Sequence, residues 1–559
     1  MNTSKILDIS RYLLYNTSMD KNIMQEGLPA QIIEYINSLE AKIEAQQRQI
    51  EQMLETLRLA QKARFGSSSE KMKYVLTDVS EAIQETLFNE AEVFTDEDAV
   101  EPVIKPVTVN QHTRKPRRTK EELAKNLPVH KVVIDIPEEE RICDVCETDL
   151  KPIGEEFIRR ELSVIPAQAY ITETYRRNYG CDDCIDETDE ANISKPQVPV
   201  PVVKRGLASP SSVAYTMYQK YVNAQPLYRQ QKDWENFGVE ISRGTLANWI
   251  IYSSKHWLAP LWEAWKVLLL TAPIIFADET VLQVLKEPGK TPQSESRMWV
   301  YGTGNYGPAP ITLFDYQPSR SGEHARNFLQ INQPFYLQTD AYAGYDKVVN
   351  AILCGCYSHL RRKFNEAMPK SPPKDNPAYI GLTYCQKLFT LEAEFASLSP
   401  EERLIQRNKK SKPIVDKFFA WVESLNPLAG SKLAVAVTYA RNQKERLHVF
   451  LQDGRIEIST NRIENAIRPF AVGRRNWLFA DTVDGAKASA VAYSIIETAR
   501  LNGINPFEYL LFLFTELPSV LTKDPNTDLS PLFPWVDGIS EKCRILKKQM
   551  DQALLDCDP

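Results

Sequence analysis

The sequence predicts a multidomain α/β protein with a sheet in its C-terminal half. The chain has 559 residues, whereas single hydrophobic cores rarely grow past about 250–300 residues. After residue 271, short apolar runs typical of strands alternate with runs at helical spacing. Before residue 200, two pairs of closely spaced cysteines indicate a separate small domain.

Two aspartates follow short apolar runs in the predicted sheet. Asp278 follows residues 273–277 in PIIFADETVLQVL, and Asp340 follows residues 335–337 in FYLQTDAYAGYDKV. Each run predicts a short buried strand that ends in an acid. The intervening RMWVYGT and PITLFDYQ predict strands, SGEHARNFLQI a helix, and AILCGCYSHLRRKFNEAM a strand followed by a basic helix. This order predicts a ribonuclease H-like core, in which the two acid-bearing strands are neighbours at the centre of the sheet.

A third acid, Glu464, lies in the basic and aromatic segment STNRIENAIRPFAVGRRNWLFA. Glu464 is either a metal ligand or part of a helix cap, because Asn461 and Glu464 have the spacing of a capping box. Pro469 is expected to end or kink the helix, which would place Arg474 and Arg475 in a loop.

Three carboxylates brought together would suit a hard divalent cation such as Mg²⁺ or Mn²⁺. Two such ions about 3.5–4 Å apart can generate a water nucleophile and neutralise the charge that develops during phosphodiester cleavage. Asp278 and Asp340 would hold the ions from adjacent strands, and Glu464 would complete the site from a helix. Glu279 is the alternative to Asp278, but strand alternation from Phe276 favours Asp278.

Basic side chains near these acids predict contact with a nucleic-acid backbone. Arg468 follows Glu464 by four residues and shares its helix face, so it could hold a phosphate beside the metal. His359 either touches the scissile phosphate or has a structural role, and Trp477 either stacks on a base or packs in the core. The candidate DNA contacts are Arg468, Arg474, Arg475, Arg361, Arg362, His359, Arg243 and Asn248.

The segment FGVEISRGTLANWI has the pattern of a helix-turn-helix, with a glycine turn, Ser242 as N-cap and then an apolar-spaced helix. The second helix carries Arg243, Thr245 and Asn248, which could reach DNA. A pair of helices packed only for the core is the alternative interpretation.

Two CxxC pairs, Cys143 with Cys146 and Cys181 with Cys184, predict one structural Zn²⁺. A two-residue spacer turns both thiolates to one side, so each pair can form one edge of a tetrahedral site. The gap between the pairs exceeds the usual spacing of about 15–20 residues, and a hairpin-like stretch can bridge it. This pairing among nine cysteines favours a reducing cytoplasm over a disulfide framework.

Apolar residues between positions 36 and 60 recur in steps of three and four, with Gln46 in the one polar position. This heptad pattern predicts a coiled coil and a homo-oligomer. An amphipathic helix packed on its own domain is the alternative.

The net charge of −6 argues against a nucleic-acid partner, but the charge is segregated. Acidic residues cluster at 81–101 and basic residues at 114–120, and local basic patches decide phosphate binding. No apolar run reaches the roughly 18 residues of a membrane span, and no signal pattern is present. We expect a cytoplasmic, nucleoid-associated protein.

Several motifs, of which the one around Glu464 is long and specific, resemble the DDE transposases of the insertion sequence 66 family (TnpC-like). They are ADET, QTDAYAGYD, GCYSHLRRKF, GRIEISTNRIENAIRPFAVGRRNWLFA and SIIETARLNGINPFEYL. The resemblance implies strand cleavage and transfer by Asp278, Asp340 and Glu464, with element ends and target DNA as double-stranded partners. It also implies a leucine-zipper-like N-terminus, a zinc-binding domain and small accessory proteins from the same element. The alternative is a transposase-derived DNA-binding protein without cleavage activity.

The expected organisation follows from these patterns. It comprises a coiled-coil helix at 29–65, a charged linker at 75–125, a zinc-binding domain at 126–200, a helical region with the possible helix-turn-helix at 205–270, the first part of the ribonuclease H-like core at 271–372, a helical insertion at 373–454, the second part of the core with Glu464 at 455–517, and a C-terminal tail at 518–559.

Overall fold

The computed structural model describes residues 168–180, 193–369 and 373–555. The predicted coiled coil at 29–65, the linker at 75–125 and the four cysteines of the predicted zinc site lie outside these ranges, as does most of 126–200. In the part of that segment that is described, β1 (Tyr179–Gly180) pairs with β2 (Ile193–Ser194). None of the helices within these ranges is both long and apolar enough to cross a lipid bilayer.

A mixed sheet forms the centre of the fold. Its strands are β3 (Ile274–Lys286), β4 (Glu295–Thr303), β5 (Thr312–Gln317), β6 (Phe335–Gln338), β7 (Ala351–Cys354) and β8 (Ala480–Thr482). The strand order is β5-β4-β3-β6-β7, and β8 pairs with the far end of β3. β3, β4 and β5 are successively antiparallel, whereas β6 and β7 run parallel to β3. The two strands that were predicted to carry acids are therefore neighbours.

β3 is longer than the sequence predicts. The apolar run suggests a strand that ends at Asp278, but the strand continues to Lys286. The continuation pairs with β4 as far as Gln283 and then with β8, and its Leu282 and Val284 side chains are buried. Asp278 thus lies in the middle of a strand, whereas β6 ends at Gln338, just before Asp340.

Helices precede the sheet. They are α1 (Pro210–Tyr221), α2 (Leu227–Asn236), α3 (Arg243–Ser253) and α4 (Ala259–Leu269). The turn between α2 and α3 contains Gly238 at φ +84°, a conformation that glycine adopts without strain. Ser242 caps α3 as predicted, and its Oγ accepts a 3.2 Å hydrogen bond from the Thr245 amide. Trp234 of α2 packs edge-on against Trp249 of α3, which fixes the helical pair.

The segment predicted as a helical insertion follows α5 (Gly322–Phe328) and α6 (Tyr357–Glu366) and consists mainly of helices. It comprises α7 (Pro377–Glu394), α8 (Pro400–Gln406), α9 (Lys412–Ser424), α10 (Lys432–Asn442) and α11 (Lys444–His448). Arg407 is fully buried there and pairs with Glu392 at 2.6 Å. Its other donors reach the carbonyls of Phe450, Asp453 and Ile456 at 2.9, 3.0 and 2.8 Å. Arg407 therefore ties the insertion to the segment that returns to the sheet.

The chain ends in four helices, α12 (Asn461–Trp477), α13 (Val483–Leu501), α14 (Pro506–Lys523) and α15 (Ile539–Leu555). α13 lies against β5, where Thr498 Oγ1 accepts from the Thr312 amide at 3.0 Å and Ser494 Oγ from the Phe314 amide at 2.7 Å. α14 contains Pro518, so the tail predicted to begin at 518 starts inside a helix.

α12 corrects the prediction that Pro469 places Arg474 and Arg475 in a loop. The helix continues through Pro469 to Trp477, so Arg474 and Arg475 lie in its last turn and not in a loop. An interior proline costs about 3 kcal/mol, partly through the lost hydrogen bond to the carbonyl four residues earlier. Here Ile463, Ile467 and Phe470 are buried, and this packing offsets that cost.

Candidate metal centre

Asp278 and Asp340 occupy matching positions on neighbouring strands. In the parallel ladder of β3 and β6, Phe276 pairs with Gln338, and each aspartate lies two residues further along its chain. Because side chains alternate along a strand, Asp278 shares a face with Phe276. The Asp340 carboxylate accepts a 2.9 Å hydrogen bond from the Tyr342 amide, which closes the turn after β6.

Electrostatic effects connect the three predicted acids. Burial raises the pKa of Asp278 well above its usual range, and the charges of Glu279, Asp340 and Glu464 raise it further. No described lysine, arginine or histidine forms an ion pair with Asp278 or Asp340. The two aspartates are therefore close carboxylates whose charge no described side chain neutralises by direct contact.

Glu279, the alternative to Asp278, is already occupied by protein partners. Its side chain is only 2% exposed, and Oε1 accepts a 2.7 Å hydrogen bond from Arg320. The Tyr345 hydroxyl donates to the other oxygen at 2.7 Å. Sequence reasoning missed Arg320, because it follows β5 in a loop without a recognisable motif.

Glu464 is held by a contact that differs from the predicted capping box. The N-cap of α12 is Thr460, and Asn461 is already the first helical residue. The Thr460 hydroxyl donates to Glu464 Oε1 at 3.0 Å. The alternative interpretation, in which Asn461 and Glu464 cap each other, does not hold, because the helix starts one residue earlier and the Thr460 main chain and side chain contact Cys356 instead.

Main-chain contacts bring Glu464 back to the sheet after the insertion. The Gln338 side chain, at the end of β6, donates to the Glu457 carbonyl at 2.6 Å and accepts from the Glu457 amide at 3.0 Å. The Tyr357 amide donates to the Ile458 carbonyl at 3.0 Å. These bonds place the start of α12 beside the ends of β6 and β7.

His359 and Arg362 of α6 lie against Glu464. His359 Nδ1 is 3.7 Å from Glu464 Oε1, and an Arg362 guanidinium nitrogen is 3.6 Å from Oε2. Burial lowers the pKa of His359, but Cys356 and Glu464 together raise it to about 9. Sequence reasoning missed Cys356, although its spacing from His359 in GCYSHLRRKF was a usable signal.

The other predicted basic residues are spread over different surfaces. Arg468 and Arg475 of α12 are exposed. Arg474 instead donates to the Val281 carbonyl and to Thr280 Oγ1 of β3. Arg361 lies 5.8 Å from the centre of the Phe389 ring, on the side of the insertion.

Two further predicted contacts lie on α3, and Trp477 packs against a neighbouring ring. Arg243 and Asn248 are exposed on α3. The half-buried Trp477 packs edge-on against Phe470 with ring centres 5.5 Å apart. This ring contact explains the position of Trp477 without stacking on a DNA base.

Comparison with known families gives four matches along the chain. Residues 205–488 match the transposase IS66 family, and residues 140–184 match the zinc-finger binding domain of transposase IS66. Residues 494–535 match the IS66 C-terminal element, and residues 52–132 match a segment described as transposase C of IS166 homeodomain.

Similar proteins occur in Sinorhizobium fredii (strain NBRC 101917 / NGR234). Uncharacterized protein y4hP is 29% identical over 452 residues, which cover 77% of this chain and 78% of the relative. Uncharacterized protein y4qI is 28% identical over 518 residues, 89% of this chain and 91% of the relative. The match to the transposase IS66 family at residues 205–488 covers half of the sequence and includes all three acids. The chain therefore belongs to the IS66 transposase family.

Proposed function

We propose that this protein is an active DDE transposase that binds the ends of its element, cleaves them and joins them to target DNA. The observation that carries this proposal is the matched position of Asp278 and Asp340 on adjacent parallel strands, with Glu464 close enough to raise the pKa of Asp278.

We assign the mixed sheet to the ribonuclease H-like class. The support is its strand order, β5-β4-β3-β6-β7, with three antiparallel strands followed by two that run parallel to β3. The insertion between α6 and α12 leaves this core intact, because the Gln338–Glu457 contacts return the chain to the sheet.

The residues present fit a hard divalent cation, Mg²⁺ or Mn²⁺, and we expect two ions. Asp278, Asp340 and Glu464 offer only carboxylate oxygens, which such ions prefer. Asp278 and Asp340, whose charges repel one another and which have no described ion-pair partner, gain stability when a cation binds between them. Once bound, the ions would lower the pKa of a water molecule and neutralise charge on the phosphate.

The reaction consists of two in-line displacements at phosphorus. Water attacks the phosphodiester at the element end, and the 3′-oxygen leaves as a free hydroxyl. That hydroxyl then attacks a target phosphodiester and displaces another 3′-oxygen. The protein contributes position and charge. Arg362, 3.6 Å from Glu464, is placed to hold a phosphate oxygen next to the acids.

Several exposed basic side chains form candidate DNA surfaces. Arg468 and Arg475 extend the site along α12, and their guanidinium groups can pair with backbone phosphates. On α3, Arg243 and Asn248 face solvent in the second helix of the helix-turn-helix pair, where such residues contact base edges. Arg474 has a different role, because it holds α12 against β3.

The remaining proposals concern the parts of the chain outside the described residues. The match at 140–184 supports a structural Zn²⁺ held by Cys143, Cys146, Cys181 and Cys184. We further propose that residues 29–65 form a coiled coil that joins copies of the chain into a homo-oligomer. Small proteins of the same element would assist the reaction. The reaction would take place in the cytoplasm, on DNA of the nucleoid.

The alternative function is DNA binding without cleavage. Purified protein incubated with DNA that carries its element ends, with and without Mg²⁺ or Mn²⁺, separates the two functions. We expect metal-dependent nicking by the native protein and none by Asp340→Ala, although both bind the DNA. Binding without nicking by the native protein under every metal condition would favour the alternative.

A further inference from the structure

We propose that Cys356, His359 and Glu464 form a second metal site, which takes Zn²⁺ or another thiophilic divalent cation. The site shares Glu464 with the proposed catalytic centre, so its regulatory effect rests on the function proposed above. Metal binding itself does not depend on that function.

The three side chains converge from two elements. One potential ligand atom from each, the Cys356 sulfur, a His359 ring nitrogen and a Glu464 carboxylate oxygen, lies within 4.8 Å of the others. Cys356 precedes α6 and His359 is in its first turn, whereas Glu464 comes from the first turn of α12.

The distances are close to those of a tetrahedral zinc site. Zinc bonds of about 2.0–2.3 Å place neighbouring ligand atoms roughly 3.3–3.8 Å apart. His359 Nδ1 and Glu464 Oε1 already meet this requirement at 3.7 Å. The other ligand atoms lie within 4.8 Å of one another, so each remaining pair requires a contraction of at most about 1.5 Å.

The ligand types differ from those of the aspartate pair. A thiolate and an imidazole favour zinc and similar ions, whereas carboxylates alone suit Mg²⁺. Cys356 is fully buried, so an ion must enter past His359 and Glu464, which are each about one-fifth exposed. Three protein ligands leave a fourth position for water, as in zinc sites that are not purely structural.

The surroundings of Cys356 suit a metal-bound thiolate. The Thr460 amide donates to its sulfur at 3.3 Å, and the oxygen of the Thr460 hydroxyl, which donates to Glu464, lies 3.2 Å from the same sulfur. Hydrogen bonds of this kind orient metal ligands and stabilise their charge. The position of Cys356 at the N-terminus of α6 also stabilises a negatively charged sulfur. His359 Nδ1 is also buried and has no hydrogen-bond partner among the described residues.

Occupation of this site would compete with catalysis. A cation held by Cys356 and His359 would draw the Glu464 carboxylate away from Asp278 and Asp340. Zinc would therefore inhibit cleavage by withdrawing one carboxylate, without displacing DNA.

Cobalt tests the site directly, because a thiolate bound to Co²⁺ absorbs strongly in the near ultraviolet. The full-length protein is purified with zinc already in its cysteine-rich domain, and Co²⁺ is then added. We expect the absorption in the native protein and in Cys385→Ala, which removes another buried free cysteine, and its loss in Cys356→Ala. Equal absorption in native protein and Cys356→Ala overturns the proposal.

Two milder variants keep the test valid if Cys356→Ala does not fold. Glu464→Gln and His359→Gln should each weaken cobalt binding at least about tenfold while the thiolate absorption persists at saturation. Unchanged affinity in both variants also overturns the proposal.

A zinc titration of cleavage then tests the regulatory consequence. We expect zinc to inhibit the native protein and to be at least about tenfold less effective on Cys356→Ala, whereas equal zinc sensitivity contradicts the regulatory role. If the native protein cleaves nothing even without added zinc, the proposed function fails, and the cobalt result still decides the metal site.

Discussion

The Thr460 hydroxyl donates a 3.0 Å hydrogen bond to Oε1 of Glu464 across the first turn of α12. The same hydroxyl and the Thr460 amide also contact Cys356 Sγ. One residue at the helix start thus links α6 to the carboxylate that α12 supplies. The direction of Glu464 is therefore set by a side chain that need not contact metal or DNA itself.

Replacing Thr460 by valine tests this positioning role. Val keeps the side-chain volume but removes the hydroxyl donor, and loss of a hydrogen bond to a metal ligand typically costs about 10–100-fold in metal affinity or activity. We expect Thr460→Val to require more Mg²⁺ for half-maximal cleavage and to bind DNA normally. Thr390→Val, which removes a hydroxyl bonded only to its own helix, should leave the Mg²⁺ requirement unchanged.

Neutralising Asp278 should stabilise the metal-free protein. Burial and three neighbouring carboxylates disfavour its charged form, so Asp278→Asn should raise the free energy of unfolding by about 0.5–2 kcal/mol. The same change should abolish stabilisation by Mg²⁺. Urea denaturation with and without Mg²⁺ measures both effects, and a destabilised Asp278→Asn variant that still responds to Mg²⁺ would contradict this account.

Arg407 should contribute strongly to stability through its position between the insertion and the returning chain. Arg407→Ala leaves Glu392, whose side chain is 12% exposed, and three carbonyls without their donor. Removing one partner of a buried pair costs about 3–5 kcal/mol. Lys409→Ala, an exposed change in the same turn, should alter stability by less than about 0.5 kcal/mol. Chemical denaturation compares the two, and equal stabilities would show that Arg407 does not hold the insertion in place.

The strands that carry or precede the two aspartates could be predicted from sequence because they depend on local patterns. Apolar runs mark β3 and β6, which contain Asp278 and end just before Asp340. The Ser242 cap was predictable for the same reason, since its hydrogen bond closes within three residues.

Features that depend on distant contacts could not be predicted. The start of α12 depends on Cys356, more than a hundred positions earlier. The passage of α12 through Pro469 depends on burial of Phe470, and the extension of β3 depends on β8. Each is a tertiary contact that overrides a local preference.

Glu497 should make stability depend on pH. Burial raises its pKa to about 7, although Arg500 opposes this. A carboxyl group whose pKa is higher in the folded state stabilises the fold when protonated, so this contribution is lost as pH rises from about 4.5 to about 7. Glu497→Gln should remove it and raise stability at pH 8 by an amount on the order of 1–3 kcal/mol.

Denaturation at several pH values measures the Glu497 effect. The exposed Glu516→Gln variant controls for the loss of one negative charge. If Glu497→Gln and the native protein lose stability in parallel as the pH rises above 5, Glu497 is not the responsible group.

The most direct test of the central claim is cleavage of element-end DNA by Glu464→Gln, because Glu464 is the acid that only the returning segment brings to the sheet. We predict a loss of at least about 1,000-fold in Mg²⁺-dependent nicking, with DNA binding retained. Glu457→Gln, a matched change at a carboxylate paired with Arg462, should nick at a rate close to that of the native protein. Nicking by Glu464→Gln at the native rate would contradict the assignment of Asp278, Asp340 and Glu464 to one catalytic metal centre.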